Sequence, residues 1–205
     1  MKIEVNKLLE FYEKKKDFIR NFIKTCDIKD DECLFGELCF SILTSQSKAK
    51  NCREAINKLK ADKKLFRANL EELRNYLKGV RFPDVKAERI IEAREKLQAL
   101  KRMLTSDLIE LRKWLIENIK GIGIKQSANF MRNIGFRGLP IIDVHVQNFL
   151  RKIEYNDYEP GSLTKKQYIE LENKFLKLSK ELKIPPEELD IAIWLYQSGE
   201  KEFYG

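Results

Sequence analysis

Apolar residues recur at three- and four-residue spacings along this 205-residue chain and nowhere settle into the strict alternation of a strand. Leu8, Leu9, Tyr12, Phe18, Phe22 and Ile23 space as one face of an N-terminal helix. Asp30-Asp31-Glu32 opens a second helix, whose Leu34, Phe35, Leu38, Cys39, Ile42 and Leu43 make it apolar nearly all round and therefore central. Further helices are predicted around 52–59, 70–77 and 86–97. Ser106 is predicted to cap a run through Leu108, Leu111, Leu115 and Ile119, and helical segments at 124–133 and 144–153 follow. Thr164 starts a long helix with Tyr168, Leu171, Phe175, Leu178 and Leu182, and Pro185-Pro186 begins the last, through Ile191, Trp194 and Leu195. Only Leu139–Val144 reads as briefly extended, and the loop 155–162 is the best internal break. The pattern predicts an all-α protein of about ten short helices, in two lobes that share a groove.

Composition narrows the chemistry. Hydrophobic residues make up 43% of the chain, enough for a real core. The longest apolar stretches fall far short of the roughly eighteen residues a membrane span needs. No charged-then-apolar leader opens the chain, which predicts a cytoplasmic protein with no membrane partner. A single histidine, His145, excludes a His-His zinc site and a two-histidine proton relay. Cys26, Cys33, Cys39 and Cys52 contain no C-x2-C pair, so a zinc site is disfavoured, and reduced thiols are expected, with Cys39 a small core residue. The net charge is +8, and residues 101–155 carry ten Lys and Arg against five acids. That local excess fits a polyphosphate partner.

Four of the nine glycines fall between residues 121 and 138. Lys120-Gly121-Ile122-Gly123 reads as a tight turn between two helices, with Ile119, Ile122, Ile124 and Ala128 packing them together. Gly121 and Gly123 permit positive φ and close approach of a partner's backbone. The second helix starts with unpaired N–H groups and the positive end of its dipole in that turn, a natural seat for phosphate. An ordinary helical hairpin satisfies the same pattern. What adds to it is Lys125, directly after the turn, and Asp143, eighteen residues further on in Ile141-Ile142-Asp143-Val144-His145-Val146. Lys125 reads either as a solvated lysine or as an amine desolvated between apolar-packed elements and so nucleophilic. Asp143 reads as a helix N-cap, which would also hold a carboxylate fixed at the mouth of a groove.

Ile119-Lys120-Gly121-Ile122-Gly123-Ile124-Lys125 and Asp143-Val144-His145-Val146 together resemble the helix-hairpin-helix DNA glycosylases. LFGELCFSILTSQS (34–47) and GVRFPDVKAERIIEAR (79–94) are similar to two further segments of that superfamily. The resemblance implies two helical lobes flanking a DNA-binding groove within a single unit, 1–205. One lobe is built mainly by 34–135, with the hairpin at 108–134, and the second by the N-terminal helix and 144–205. No cysteine follows Cys52, which sets aside the relatives carrying a C-terminal iron–sulfur cluster. The compact length looks like the second family of 8-oxoguanine DNA glycosylase/AP lyases, found in archaea and some bacteria. Members of that family often end in a lysine, whereas this chain ends Glu202-Phe203-Tyr204-Gly205.

The resemblance further implies a DNA repair enzyme that removes 8-oxoguanine from duplex DNA and cleaves the strand 3′ to the site. Lys125 would be the nucleophile and Asp143 the stabiliser of positive charge on the sugar. Gly121, Gly123, Ser127 and His145 would hold the DNA backbone. Gln46, Ser47, Asp190 and Trp194 are candidates for reading the base or filling the duplex. No cofactor or metal is required, although a monovalent cation at the hairpin is compatible with the family. The expected partner is double-stranded DNA containing oxidised guanine, bound by a monomer. A glycosylase/lyase for another oxidised base, and a non-catalytic helix-hairpin-helix DNA-binding protein, stay open at this point.

Overall fold

A computed structural model describes residues 2–23 and 26–199. The terminal Glu202–Gly205 lie outside the described residues. Among the described residues there are ten α-helices and no strand. The chain divides into two compact units, Thr25–Gly135 and Met1–Lys24 with Phe136–Gly205.

The unit of residues 25–135 is built around α2 (Asp31–Leu43). Asp30 caps it by accepting from the Glu32 amide at 2.9 Å. Leu34, Phe35 and every residue from Leu38 to Leu43 are buried, because α3 (Ala49–Ala61), α5 (Pro83–Met103) and α7 (Ile124–Asn133) all pack on it. Short α4 (Leu70–Tyr76) lies on α5, closed by a capping box between Asn69 and Glu72. The helix α6 (Leu108–Asn118) packs on α5 and α7. Its cap is Asp107 and not Ser106: Asp107 Oδ1 accepts from the amides of Ile109 and Glu110 at 2.8 and 2.9 Å. A carboxylate reaching two orphan amides outcompetes the hydroxyl one residue outside.

In the other unit, α10 (Pro186–Ser198) packs against α1 (Lys2–Phe22), α8 (Val144–Lys152) and α9 (Lys165–Leu182). On α1 the buried stripe is Leu8, Tyr12 and Ile19. Phe18 and Phe22, expected on that face, fall to one side of it and are exposed. Tyr12 donates to Glu188 Oε2 at 2.6 Å, and Arg20 reaches the same carboxylate at 3.1 Å, fastening α1 to the start of α10. The loop 155–162 is no boundary. Gln147 on α8 exchanges two hydrogen bonds with Gly161, at 2.8 and 3.2 Å, which hold the loop inside this unit.

The Leu139–Asp143 stretch forms no strand. Side chains take the place of a ladder: the Ile141 amide donates to Asp190 Oδ2 at 2.7 Å, and the Ile142 amide to the Tyr168 hydroxyl at 3.1 Å. The reduced-thiol expectation holds for buried Cys39 and Cys52 only. Burial pushes both thiols up, Cys52 to about 11. Cys26 and Cys33 are joined as a disulfide, since the turn into α2 brings their Cα atoms to 5.8 Å. Among the described residues, no helix is long and apolar enough to cross a membrane.

Candidate active site

The hairpin joins α6 to α7. The Ile122 amide closes the turn on the Ile119 carbonyl at 3.1 Å, and both isoleucine side chains are buried beneath it. Gly121 sits at φ +91°, where a side chain is strained, and a Cβ there would meet the Arg89 side chain at 3.0 Å. Gly123 differs from the expectation. It is the N-cap of α7 with extended backbone, φ −98° and ψ −170°, and needs no positive φ. Its contribution is exposure: no side chain caps α7, so the first-turn amides stay open to an incoming anion.

Lys125 is exposed in the first turn of α7, so the apolar packing expected around it is absent from the free protein. Ser127 does not face the turn. It is fully buried; its hydroxyl donates to the Ile124 carbonyl at 2.8 Å, and its amide bonds the Gly123 carbonyl. Both groups are buried and already hydrogen-bonded, so neither is presented at the surface of the hairpin. Arg112 on α6, a residue overlooked in the sequence, donates to the same Ile124 carbonyl at 3.1 Å and to the Ser127 hydroxyl at 3.4 Å. Arg112 and Ser127 therefore brace the hairpin from inside.

Asp143 is the N-cap of α8, with Oδ1 accepting from the Val146 amide at 2.9 Å. The carboxylate is half-buried, and His145 is half-buried two residues later. Asp190 is buried rather than presented to a base. Through its bond to the Ile141 amide it anchors the segment that delivers Asp143. Trp194 lies half-buried on α10.

Gln46 and Ser47 occupy the turn between α2 and α3. Gln46 is exposed in the left-handed region, φ 55°. Ser47 is structural: its Oγ accepts from Lys86 Nζ at 2.8 Å and from the Arg81 amide at 2.9 Å. Lys86 is the second residue that sequence reasoning missed. It is 1% exposed, and burial holds its ammonium below the usual lysine range. The signal was present, since Lys86 continues the buried register of Ile90, Ala93, Leu97 and Leu100 on α5.

Among the described residues, no group of three or more His, Cys, Asp or Glu side chains is placed to hold a metal ion. An open, glycine-turned hairpin followed at once by an exposed lysine, on an all-helical frame, defines a helix-hairpin-helix protein. Residues 15–184 match the sequence profile described as 8-oxoguanine DNA glycosylase, and the chain belongs to that family. It is 36% identical to the 8-oxoguanine DNA glycosylase/AP lyase of Fusobacterium nucleatum subsp. nucleatum, over 92% of this chain and 89% of that one. The fold superposes on the crystal structure of the 8-oxoguanine DNA glycosylase of Thermotoga maritima with TM-score 0.85 and 29% identity, covering 95% of both chains. It superposes equally on the Methanocaldococcus jannaschii 8-oxoguanine glycosylase/lyase, solved with a 15mer DNA containing 8-oxoguanine. The TM-score there is 0.84 at 30% identity, covering 94% of this chain and 98% of that one.

Proposed function

We propose that this chain is a base-excision repair enzyme that removes 8-oxoguanine from duplex DNA in the cytoplasm and then cleaves the strand 3′ to the lesion. The observation that carries the reading is Lys125, an exposed primary amine in the first turn of α7, beside amides that no side chain caps. A pure DNA binder has use for the amides but not for a nucleophile at that point.

The damaged nucleotide leaves the stack, because its C1′ is inaccessible within the duplex. Phosphates on either side are held by the open hairpin amides at Gly121 and Gly123 and by His145, with nearby Lys and Arg adding salt-sensitive affinity. The Lys125 Nζ lone pair attacks C1′ as the N-glycosidic bond breaks and the base departs with its electron pair. Asp143 offsets the positive charge that develops on the sugar, and the proton that the amine gives up on forming the adduct leaves to solvent. The adduct opens to a Schiff base, a proton leaves C2′, and β-elimination breaks the 3′ C–O bond. Gln46 fills the vacated space in the duplex, and Trp194 stacks on the extruded base. The protein acts as a monomer and needs no cofactor for these steps. A monovalent cation seated on hairpin carbonyls would only add to phosphate binding.

The test is reductive trapping. Wild type mixed with an 8-oxoguanine duplex and borohydride is expected to give a covalent protein–DNA adduct. Lys125→Gln is expected to lose both adduct and base release while keeping DNA affinity. Full activity in that variant would overturn the assignment.

A further inference from the structure

We propose that Lys86 is a positioning residue that locks the 44–47 turn and the 79–82 loop into one DNA-facing surface, and so supports base extrusion rather than the lysine chemistry.

The ammonium of Lys86 donates to three acceptors, the Leu43 carbonyl at 2.7 Å, the Ser45 carbonyl at 2.7 Å and Ser47 Oγ at 2.8 Å. Three acceptors satisfy all of its donors. All three are neutral groups, so a buried positive charge is held without a carboxylate against it. An apolar side chain of similar volume would fill the space at lower cost in desolvation. A charge retained there has a use other than core stability.

Its use follows from what it ties down. Ser47 Oγ receives Lys86 and the Arg81 amide together, and Asn51 Nδ2 donates to the Gly79 carbonyl at 2.8 Å. The end of α2 and the start of α5 are thus pinned through one hydroxyl. Each pinned segment carries one non-glycine residue in the left-handed region, Gln46 at φ 55° and Phe82 at φ 59°. For a bulky aromatic that conformation is an outlier, and strain of this kind persists only where the surroundings impose it. Neither residue is core: Gln46 is exposed, and Phe82 is 51% exposed with the Arg81 guanidinium over its ring at 4.9 Å. Lys86 therefore maintains a strained, outward-facing amide and aromatic pair, the side-chain types that enter a gap between unstacked bases.

The inference rests on the functional reading above, and its test separates the two. Base release from an 8-oxoguanine duplex requires extrusion of the nucleotide, whereas β-elimination at a pre-formed abasic site has no base to unstack. Lys86→Met, and Ser47→Ala as a second variant that removes the shared hydroxyl with little change in volume, are measured on both substrates under single-turnover conditions. Base release is expected to fall about tenfold in each, with abasic-site cleavage kept within about twofold. Lys86→Met combined with Gln46→Ala is expected to be no more than about twofold slower than Lys86→Met alone, because the two act through one surface. Fluorescence of 2-aminopurine beside an abasic site, which rises on unstacking, is expected to rise less in both single variants. Equal loss of the two activities, unchanged base release, or multiplicative effects of the Lys86 and Gln46 changes would overturn the proposal. A wild type that releases no 8-oxoguanine would sink the functional reading alone, and the fluorescence comparison would still decide the role of Lys86.

Discussion

Asp143 Oδ1 accepts a hydrogen bond from the Val146 amide at 2.9 Å, so the carboxylate proposed to face the sugar is also the N-cap of α8. One side chain thereby does structural and chemical work, and substitution can separate them. Asparagine caps nearly as well as aspartate but carries no charge. Asp143→Asn is expected to keep stability within about 0.5 kcal/mol while slowing base release by about a hundredfold or more. Asp143→Ala should add a stability loss of about 1 kcal/mol. Urea midpoints alongside single-turnover excision measure both; an unchanged excision rate in Asp143→Asn removes the residue from the mechanism.

The hairpin glycines are expected to respond differently. Gly121→Ala places a Cβ at φ +91° and against Arg89, and should cost about 1–2 kcal/mol as well as weaken DNA binding. Gly123→Ala has ordinary backbone, and its Cβ would meet only Gln126 Oε1 at an ordinary contact of 3.8 Å, so its stability loss should stay below about 1 kcal/mol. Its effect should appear in DNA affinity, where the new methyl group crowds the approach to the α7 amides. Equal destabilisation of the two variants would contradict the assigned geometry.

Asp190 is expected to matter through Asp143. Asp190→Ala leaves the Ile141 amide without its acceptor, a loss of about 1–3 kcal/mol. Base release should slow because the segment leading to Asp143 loosens. Asp190→Asn retains an acceptor oxygen and should restore most of both. If Asp190→Asn is as slow as Asp190→Ala while equally stable as wild type, Asp190 contacts the base instead.

Tyr12 gives the unit of residues 1–24 and 136–205 a pH dependence at high pH. Burial, followed by the hydrogen bond to Glu188, raises its hydroxyl from the usual 10 to about 12. The folded state thus holds the proton more tightly than the unfolded state. The stability this contributes is complete below pH 10 and is lost as pH rises towards about 12. Wild type should lose stability faster than Tyr12→Phe between those values, as read by urea midpoints. Parallel curves for the two proteins would refute the coupling.

Much of this fold was legible because helices declare themselves locally. The caps at Asp30, Thr164 and Asp143 and the Gly121–Gly123 turn between α6 and α7 all depend on residues within about one turn of each other. Where two local candidates competed, as Ser106 and Asp107 did, sequence could not show which side chain would reach the free amides. Phe18 and Phe22 stay exposed because hydrophobicity marks only a candidate face, and the packing of α10 selects the stripe Leu8, Tyr12 and Ile19. The loop 155–162 has the composition of a boundary, but Gln147 ties it to α8 through a contact that local sequence does not mark.

The sequence by itself determined the helical class, the glycine turn with its lysine, and the capping aspartate, since each is fixed by chemistry among near neighbours. Tertiary structure decided which polar side chains serve as supports. Ser47 meets Lys86 from 39 residues away, and Ile141 meets Asp190 from 49. A buried donor or acceptor must find a partner wherever the fold supplies one, and that partner carries no mark in the local sequence.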